Sequence, residues 1–214
     1  MPQSRRKTEA ALAGVLLVLS SPLWLVAAIG IKLSSAGPVF YIAKRAGRRG
    51  VPFPMFKFRT MRVGADRASR IARANDPRVF AFGSFLRRLK IDELPQLVNI
   101  LRGEMAFVGP RPEDLTIVES AYTVQDRETL EVLPGLTSPG AIYYWSQVEP
   151  RLSPTDAEGH YLSGPLRTKL DLDRAYLRTA TAATDWRVVC ETILVLLHVS
   201  SQRPARREAA GARR

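Results

Sequence analysis

Cysteine and histidine are almost missing from this chain of 214 residues: there is one cysteine, Cys190, and there are two histidines, His160 and His198. A single thiol excludes an intrachain disulfide framework and a cysteine-built metal site. The histidines lie far apart and form no spaced ligand motif, which argues against zinc. Cys190 falls in the apolar-periodic run Trp186–Val199 and reads as a packed thiol. Acidic residues are also scarce. Lys and Arg number 32 against 20 Asp and Glu, a formal net charge of +12. That excess favours an anionic partner, whether nucleic acid, anionic lipid or a phosphorylated small molecule. No internal repeat is present. Hydrophobic residues make up 46%, enough for a core, and the length suits one domain plus an anchor.

Charge is wholly absent from Ala10 to Ile31. At about 1.5 Å per residue this run reaches about 33 Å as a helix, enough to cross a bilayer. It is longer than the apolar stretch of a signal peptide, and no clear small-x-small cleavage site follows it. Ser21-Pro22 stands at its middle, where proline removes a helix hydrogen bond and bends the axis. Both flanks are basic: Arg5, Arg6 and Lys7 precede it, and Lys32, Lys44, Arg45, Arg48 and Arg49 follow. The positive-inside rule therefore gives no asymmetry. A kinked spanning helix and a re-entrant helix, which dips in, bends at Pro22 and returns, both stay open on these grounds.

Beyond the run, Ser34–Pro38 is a turn-rich exit. Val39–Lys44 and Met55–Met61 read as strands around a hairpin turn at Gly47–Gly50. A period of two puts Met55, Lys57, Arg59 and Met61 on one face of the second strand and Phe56, Phe58 and Thr60 on the other. Ala65–Ala74 is a polar, Arg-rich helix or loop. Phe82–Leu89, Leu94–Leu101, most of Glu113–Leu133 and Leu166–Ala180 are helical in pattern. Ala106–Val108 is a buried strand, and Pro134–Trp145 is turn and extended chain. Trp186, Val189, Ile193, Leu196 and Leu197 share one helix face, either packed on the core or lying on a membrane. Arg203–Arg214 is a basic, Ala-rich tail expected to be disordered.

The densest chemical signal is Leu86–Pro112. Asp92 and Glu93 stand just before Leu94-Pro95, at the expected start of a helix. Asp92 there is a helix cap or a carboxylate kept ionised by the helix end and able to attack a phosphoryl group. Glu93 could hold a magnesium ion against substrate phosphates. Arg87, Arg88, Lys90 and Arg111 are close in sequence, and phosphoryl transfer needs little beyond positioning and neutralisation of oxygens. Asp173, sharing a helix face with Tyr176, could add to a metal or nucleotide site.

These residues resemble the bacterial sugar transferases that are small monotopic phosphoglycosyl transferases, or polyprenyl-phosphate hexose-1-phosphate transferases. The matching pieces are Ser21-Pro22 in the apolar helix, Gly37-Pro38-Val39-Phe40, Lys57-Phe58-Arg59-Thr60-Met61, and Asp92-Glu93-Leu94-Pro95-Gln96-Leu97 with Asn99. Gly109-Pro110-Arg111-Pro112, Pro134-Gly135-Leu136-Thr137 and Leu172-Asp173 with Tyr176 complete the set. Each is weak alone; their order and spacing are specific. The resemblance implies an α+β fold: a basic N-terminus with a re-entrant helix over residues 1–33, bent at Ser21-Pro22, a catalytic domain over 34–200 with membrane-associated amphipathic helices, and a tail over 201–214. It implies catalysis at the cytoplasmic face of the bacterial inner membrane, as the first membrane step of glycan assembly such as exopolysaccharide synthesis. Asp92 would attack the β-phosphate of a UDP-sugar and release UMP, and polyprenyl phosphate would take the covalent sugar phosphate. Glu93 would bind Mg2+. Arg87, Arg111, Lys57 and Arg59 would contact phosphate, with Asp173 beside the substrate. UDP-sugar, polyprenyl phosphate and the lipid bilayer are the expected partners, nucleic acid is not, and self-association is left open.

The chain departs from the family pattern at Leu133, where an arginine is usual, at Ser138, where a glycine is usual, and over Pro139–Pro150, which lacks the usual Gln-Val-x-Gly stretch. The resemblance implies that this region bears on nucleotide or sugar recognition. A non-catalytic basic membrane module would explain charge, anchor and tail but not the acid pair among arginines, and its aromatics do not interleave with the basic residues as single-strand binders require. A phosphohydrolase using Asp92 with water as acceptor is the third reading.

Overall fold

The computed structural model describes residues 3–65, 71–72, 76–153 and 155–211. The expected polar segment Ala65–Ala74 falls largely outside them. The fold is α+β. A long helix α1 (Gln3–Ser34) leads into an antiparallel hairpin of β1 (Phe40–Ala46) and β2 (Pro52–Phe58), closed by a turn at Arg48–Gly50. Helices α2 (Ala81–Arg88) and α3 (Gln96–Leu101) follow, separated by a single 3-10 turn at Ile91–Glu93. Strand β3 (Ala106–Val108) pairs in parallel with β4 (Gly135–Thr137) across an excursion through α4 (Leu115–Ala121). Here two glycines meet: a Cβ on Gly135 would lie 2.2 Å from Gly109 N. Helix α5 (Pro139–Tyr143) runs into a π-helical turn at Tyr144–Val148, and α6 (Ala157–Leu162), α7 (Pro165–Arg178) and α8 (Ala182–Gly211) complete the chain.

Several expectations shift. The strands are Phe40–Ala46 and Pro52–Phe58, so Arg59, Thr60 and Met61 lie past the end of β2. The last strand pair is Phe40 with Phe58, and beyond it the side chains no longer alternate about a sheet. Pro134–Trp145, expected as turn and extended chain, becomes β4 followed by helix because Ser138 caps it, accepting from Ala141 N–H at 3.0 Å with Pro139 at the first helical position. Helix α8 continues to Gly211, through residues expected as a disordered tail; the Ala, Arg and Glu of that stretch are strong helix formers.

Helix α1 meets the body at both ends. Near its start Arg5 pairs with Asp185 of α8, and Glu9 Oε2 accepts from Phe107 N–H at 3.3 Å. Ala13 is buried with Ala43, Phe53, Met55, Leu97, Ile100 and Met105. Near its end Ala27 and Ile31 are buried with Phe58, Phe80 and Leu86, and the Trp24 ring stands 5.2 Å from that of Phe58. Between these anchors the outer face is bare and apolar: Val18, Leu19 and Leu25 are 72%, 70% and 64% exposed. The chain stays helical through Pro22. Ser20 bridges the same turn, donating to Leu17 O at 3.3 Å and accepting from Trp24 Nε1 at 3.2 Å. Arg5–Ser34 is long and apolar enough to cross a membrane. Arg5 and Ile31, near its two ends, both touch the body. On α8 the apolar face divides: Val188 is buried, whereas Trp186, Ile193, Leu194 and Leu197 are exposed.

Candidate active site

The acid pair lies in the short turn between α2 and α3. Helix α2 ends at Leu89, and Lys90 turns the chain through a left-handed conformation (φ 56°) into Ile91–Glu93. Such backbone in a non-glycine residue costs about 1–3 kcal/mol and collects at functional sites. Asp92 and Glu93 are buried. Neither the turn nor α3 has a side-chain cap hydrogen bond, so Asp92 is not a helix cap, and the charges facing it come from side chains.

Glu93 is the electrostatic hub. Arg111 Nη2 stands 2.6 Å from Glu93 Oε1, Lys57 Nζ 3.8 Å and Lys90 Nζ 3.9 Å, while Gln96 Nε2 donates to Oε2 at 3.2 Å. Burial pushes this carboxyl up, but Arg111, Lys57 and Lys90 together overcome it and hold Glu93 far below the usual range. Asp92 goes the other way. Burial and the Glu93 charge raise it, opposed by Lys57, Lys90 and Arg87. Its Oδ1 is buried without a hydrogen-bond partner among the described residues. Two adjacent carboxyls thus hold opposite proton affinities, the pattern that separates roles in acid–base and nucleophilic sites.

The scaffold explains the placement. Asn99, one turn after Gln96 on the same face of α3, donates to Pro54 O at 2.7 Å and accepts from Phe56 N–H at 3.0 Å. It occupies the edge of β2 that β1 leaves free, next to Lys57. Arg111, stiffened between Pro110 and Pro112, donates to Leu136 O at 3.1 Å. The Trp145 ring lies 4.5 Å from Lys90 Nζ and 5.3 Å from Arg111 Cζ, a cation–π contact on each side of the hub. Burial lowers the Lys57 ammonium to about 8, with Glu93 opposing.

A cavity of about 600 Å³ opens onto this group, and Lys57, Arg87, Lys90, Asp92, Glu93 and Arg111 all line it. Arg87 reaches Glu149, Nη2 to Oε1 3.5 Å. Arg59 also borders the cavity, but its guanidinium is spent elsewhere. It donates to Pro38 O at 2.6 Å, Ser35 Oγ at 2.8 Å, Ser35 O at 2.7 Å and Met61 O at 3.3 Å. It clamps the exit of α1 instead of pointing beside Lys57. Asp173 lies outside the cavity lining. It is fully buried on α7, accepts from Gly140 N–H at 2.8 Å, and fixes α5 from behind. A Cβ at Gly140 would come within 2.7 Å of its carboxyl. Leu133 and Ser138 are not in the lining either, whereas Tyr144 and Glu149 of the altered stretch Pro139–Pro150 are.

Sequence reasoning missed three contributors. Trp145 and Glu149 fall in the stretch that departs from the family pattern, so no motif marked them. Glu113 directly follows Arg111-Pro112 and was findable by adjacency. Its Oε2 accepts from Lys169 Nζ and from Tyr161 OH, each at 2.7 Å, and all three side chains line the cavity.

Among the described residues no group of three or more His, Cys, Asp or Glu converges, so no all-protein metal cage is present. Magnesium is commonly held by one or two carboxylates plus substrate phosphates. The adjacent Asp92 and Glu93 line a cavity rich in cations for phosphate, and Asp92 Oδ1 has no hydrogen-bond partner among the described residues, which fits that kind of site.

Residues 3–199 match the family model described as bacterial sugar transferase. The chain is 34% identical over 197 residues to the UDP-glucose:undecaprenyl-phosphate glucose-1-phosphate transferase of Escherichia coli K12, covering 88% of this chain and 39% of that protein. It is 35% identical over 199 residues to the protein of the same name from Caulobacter vibrioides, covering 90% and 69%. It is 34% identical over 195 residues to the UDP-N-acetylgalactosamine-undecaprenyl-phosphate N-acetylgalactosaminephosphotransferase of Aeromonas hydrophila, covering 90% and 43%. The chain thus spans less than half the length of the Escherichia coli and Aeromonas relatives.

Proposed function

The chain belongs to the bacterial sugar transferase family, and on that premise we propose that it moves a sugar 1-phosphate from a UDP-sugar to undecaprenyl phosphate. The observation that carries this reading is the cavity lined together by Asp92, whose buried Oδ1 has no hydrogen-bond partner among the described residues, and by Lys57, Arg87, Lys90 and Arg111. The names of the relatives supply the donor and acceptor classes.

The first step is attack by an Asp92 carboxylate oxygen on the β-phosphorus of the donor. The bond from that phosphorus to the bridging oxygen breaks, the electron pair leaves on the α-phosphate, and UMP departs. In the second step an undecaprenyl phosphate oxygen attacks the same phosphorus and displaces the carboxylate, giving undecaprenyl diphosphate-sugar. Arg111, Lys57 and Lys90 orient the phosphates and offset their charge, and Arg87 favours the ionised form of Asp92. Glu93 would hold magnesium, which when bound neutralises phosphate oxygens. Gln96 and Trp145 keep the hub in register.

We place the reaction at the cytoplasmic face of the inner membrane, with α1 re-entrant. The attachment of both ends of α1 to one body supports that topology, and the exposed Trp186, Ile193, Leu194 and Leu197 supply an apolar surface for the bilayer. The test is Asp92→Asn. UMP release from UDP-sugar with undecaprenyl phosphate should fall by about a thousandfold or more, and labelled sugar phosphate should be trapped on the wild-type protein but not on the variant. Undiminished release would remove Asp92 from the chemistry, and release that does not need the lipid acceptor would favour a hydrolase.

A further inference from the structure

The catalytic cavity holds a carboxylate that the chemistry above leaves unused. Glu149 is buried, 6% exposed, and lines the cavity with Tyr144. Both belong to the segment that departs from the family pattern: Tyr144 opens the π-helical turn, and Glu149 follows its last residue. π-Helical turns inside helices frequently mark functional sites. Arg87 Nη2 stands 3.5 Å from Glu149 Oε1, and Arg87 is also one of the cations acting on Asp92. Glu149, Arg87 and Asp92 thus line one cavity, with Arg87 held against Glu149.

A carboxylate in the wall of the cavity that Asp92 lines disfavours phosphate beside it, so it marks where a neutral part of the donor lies. Two neutral groups flank the diphosphate. The nucleoside is joined to the far phosphorus, and the sugar to the phosphorus that Asp92 attacks. The neutral group next to Asp92 is thus the sugar. A carboxylate accepts hydrogen bonds and donates none, so it recognises ring hydroxyls. We propose that Glu149, held by Arg87, reads the donor sugar by accepting hydrogen bonds from its hydroxyls, and that the Tyr144–Glu149 segment sets donor choice. The inference rests on the transferase reading.

The test measures binding and turnover by the full chain in detergent or nanodiscs. Glu149→Gln keeps the shape and removes the charge; Glu149→Ala removes the acceptor, and thermal unfolding checks that each folds. Binding of UDP-glucose, UDP-galactose, UDP-N-acetylglucosamine and UDP-N-acetylgalactosamine is compared with binding of UDP alone in an Asp92→Asn background. In Glu149→Gln the preferred UDP-sugar should weaken by about tenfold or more, as expected when a charge-assisted hydrogen bond is lost, while UDP stays within about twofold. Ratios of kcat/KM among donors should shift by a similar factor. Equal weakening of UDP and UDP-sugars, or unchanged donor ratios in variants that still release UMP, would overturn the inference and leave the transferase reading intact. Wild-type protein that neither binds nor turns over any of the four donors would overturn both.

Discussion

The buried Glu113–Lys169 pair offers the sharpest test of the energetics around the cavity. Side-chain exposure is 5% for Lys169 and 7% for Glu113, and Oε2 of the glutamate lies 2.7 Å from Nζ. Burial pushes the Glu113 carboxyl up, but Lys169, Arg45 and Tyr161 reverse that and bring it from 4.5 to about 2. At about 1.4 kcal/mol per pH unit the gap contributes about 3 kcal/mol of stability. The folded value is the depressed one. The contribution is therefore complete above pH 4.5 and is lost as pH falls from there toward 2. Lys169→Met strands the carboxylate in the interior and should cost about 3–5 kcal/mol, a fall of about 6–20 °C in the unfolding midpoint of the detergent-solubilised protein at pH 7.5. The deficit relative to wild type should narrow as pH is lowered toward 4. Glu113→Gln combined with Lys169→Met removes both charges and should recover most of the loss. A single-variant fall under about 2 °C, or a double variant as unstable as the single, would refute the picture of a desolvated pair.

Three further outcomes follow from the geometry. Arg59→Gln should lose about 3 kcal/mol of stability by leaving the Ser35 and Pro38 carbonyls without their donor, while the donor KM stays within about twofold; a KM rise without destabilisation would instead restore Arg59 as a phosphate contact. Gly135→Ala should cost about 3 kcal/mol or more, because the new methyl group would overlap the Gly109 backbone in the β3–β4 pair, and a circular dichroism melt reads this directly. In intact cells a Ser4→Cys variant should resist a membrane-impermeant thiol reagent added from outside; labelling would place the N-terminus across the bilayer and sink the re-entrant topology.

What was legible in the sequence was the inventory of the site more than its division of labour. Asp92, Glu93, Arg87, Lys57 and Arg111 announce themselves as charges near turns and prolines, and the structure gathers them around one cavity. Arg59 shows the limit. Strand alternation puts it beside Lys57, but β2 ends at Phe58, and nothing in the spacing says that four acceptors at Ser35, Pro38 and Met61 will take the guanidinium. Asp173 fails for a related reason. Its place on a helix face is visible, whereas the backbone N–H of Gly140 that it accepts from is a tertiary contact. The opposite proton affinities of Asp92 and Glu93 depend on which carboxylate Arg111 reaches, a matter of ångströms. Trp145 lies in a π-helical turn and Glu149 directly after it, a segment with no local periodic signature.

Because α1 is fastened at both ends, the site has almost no freedom to swing relative to its anchor. The cluster that holds Ala27 and Ile31 also holds Phe58, beside Lys57, and Leu86, beside Arg87. A tethered enzyme searches a hemisphere of solution for its substrate; on the proposed topology this one would sit at a fixed height above the lipid and face one way. On the proposed transferase reading its two substrates would then arrive by unequal routes. The nucleotide sugar would come by three-dimensional diffusion from solution, and the lipid phosphate by a planar search within the leaflet. The encounter rate of the second should track the surface density of lipid phosphate, so diluting the protein and its acceptor into excess inert lipid should slow the second step and leave the first untouched.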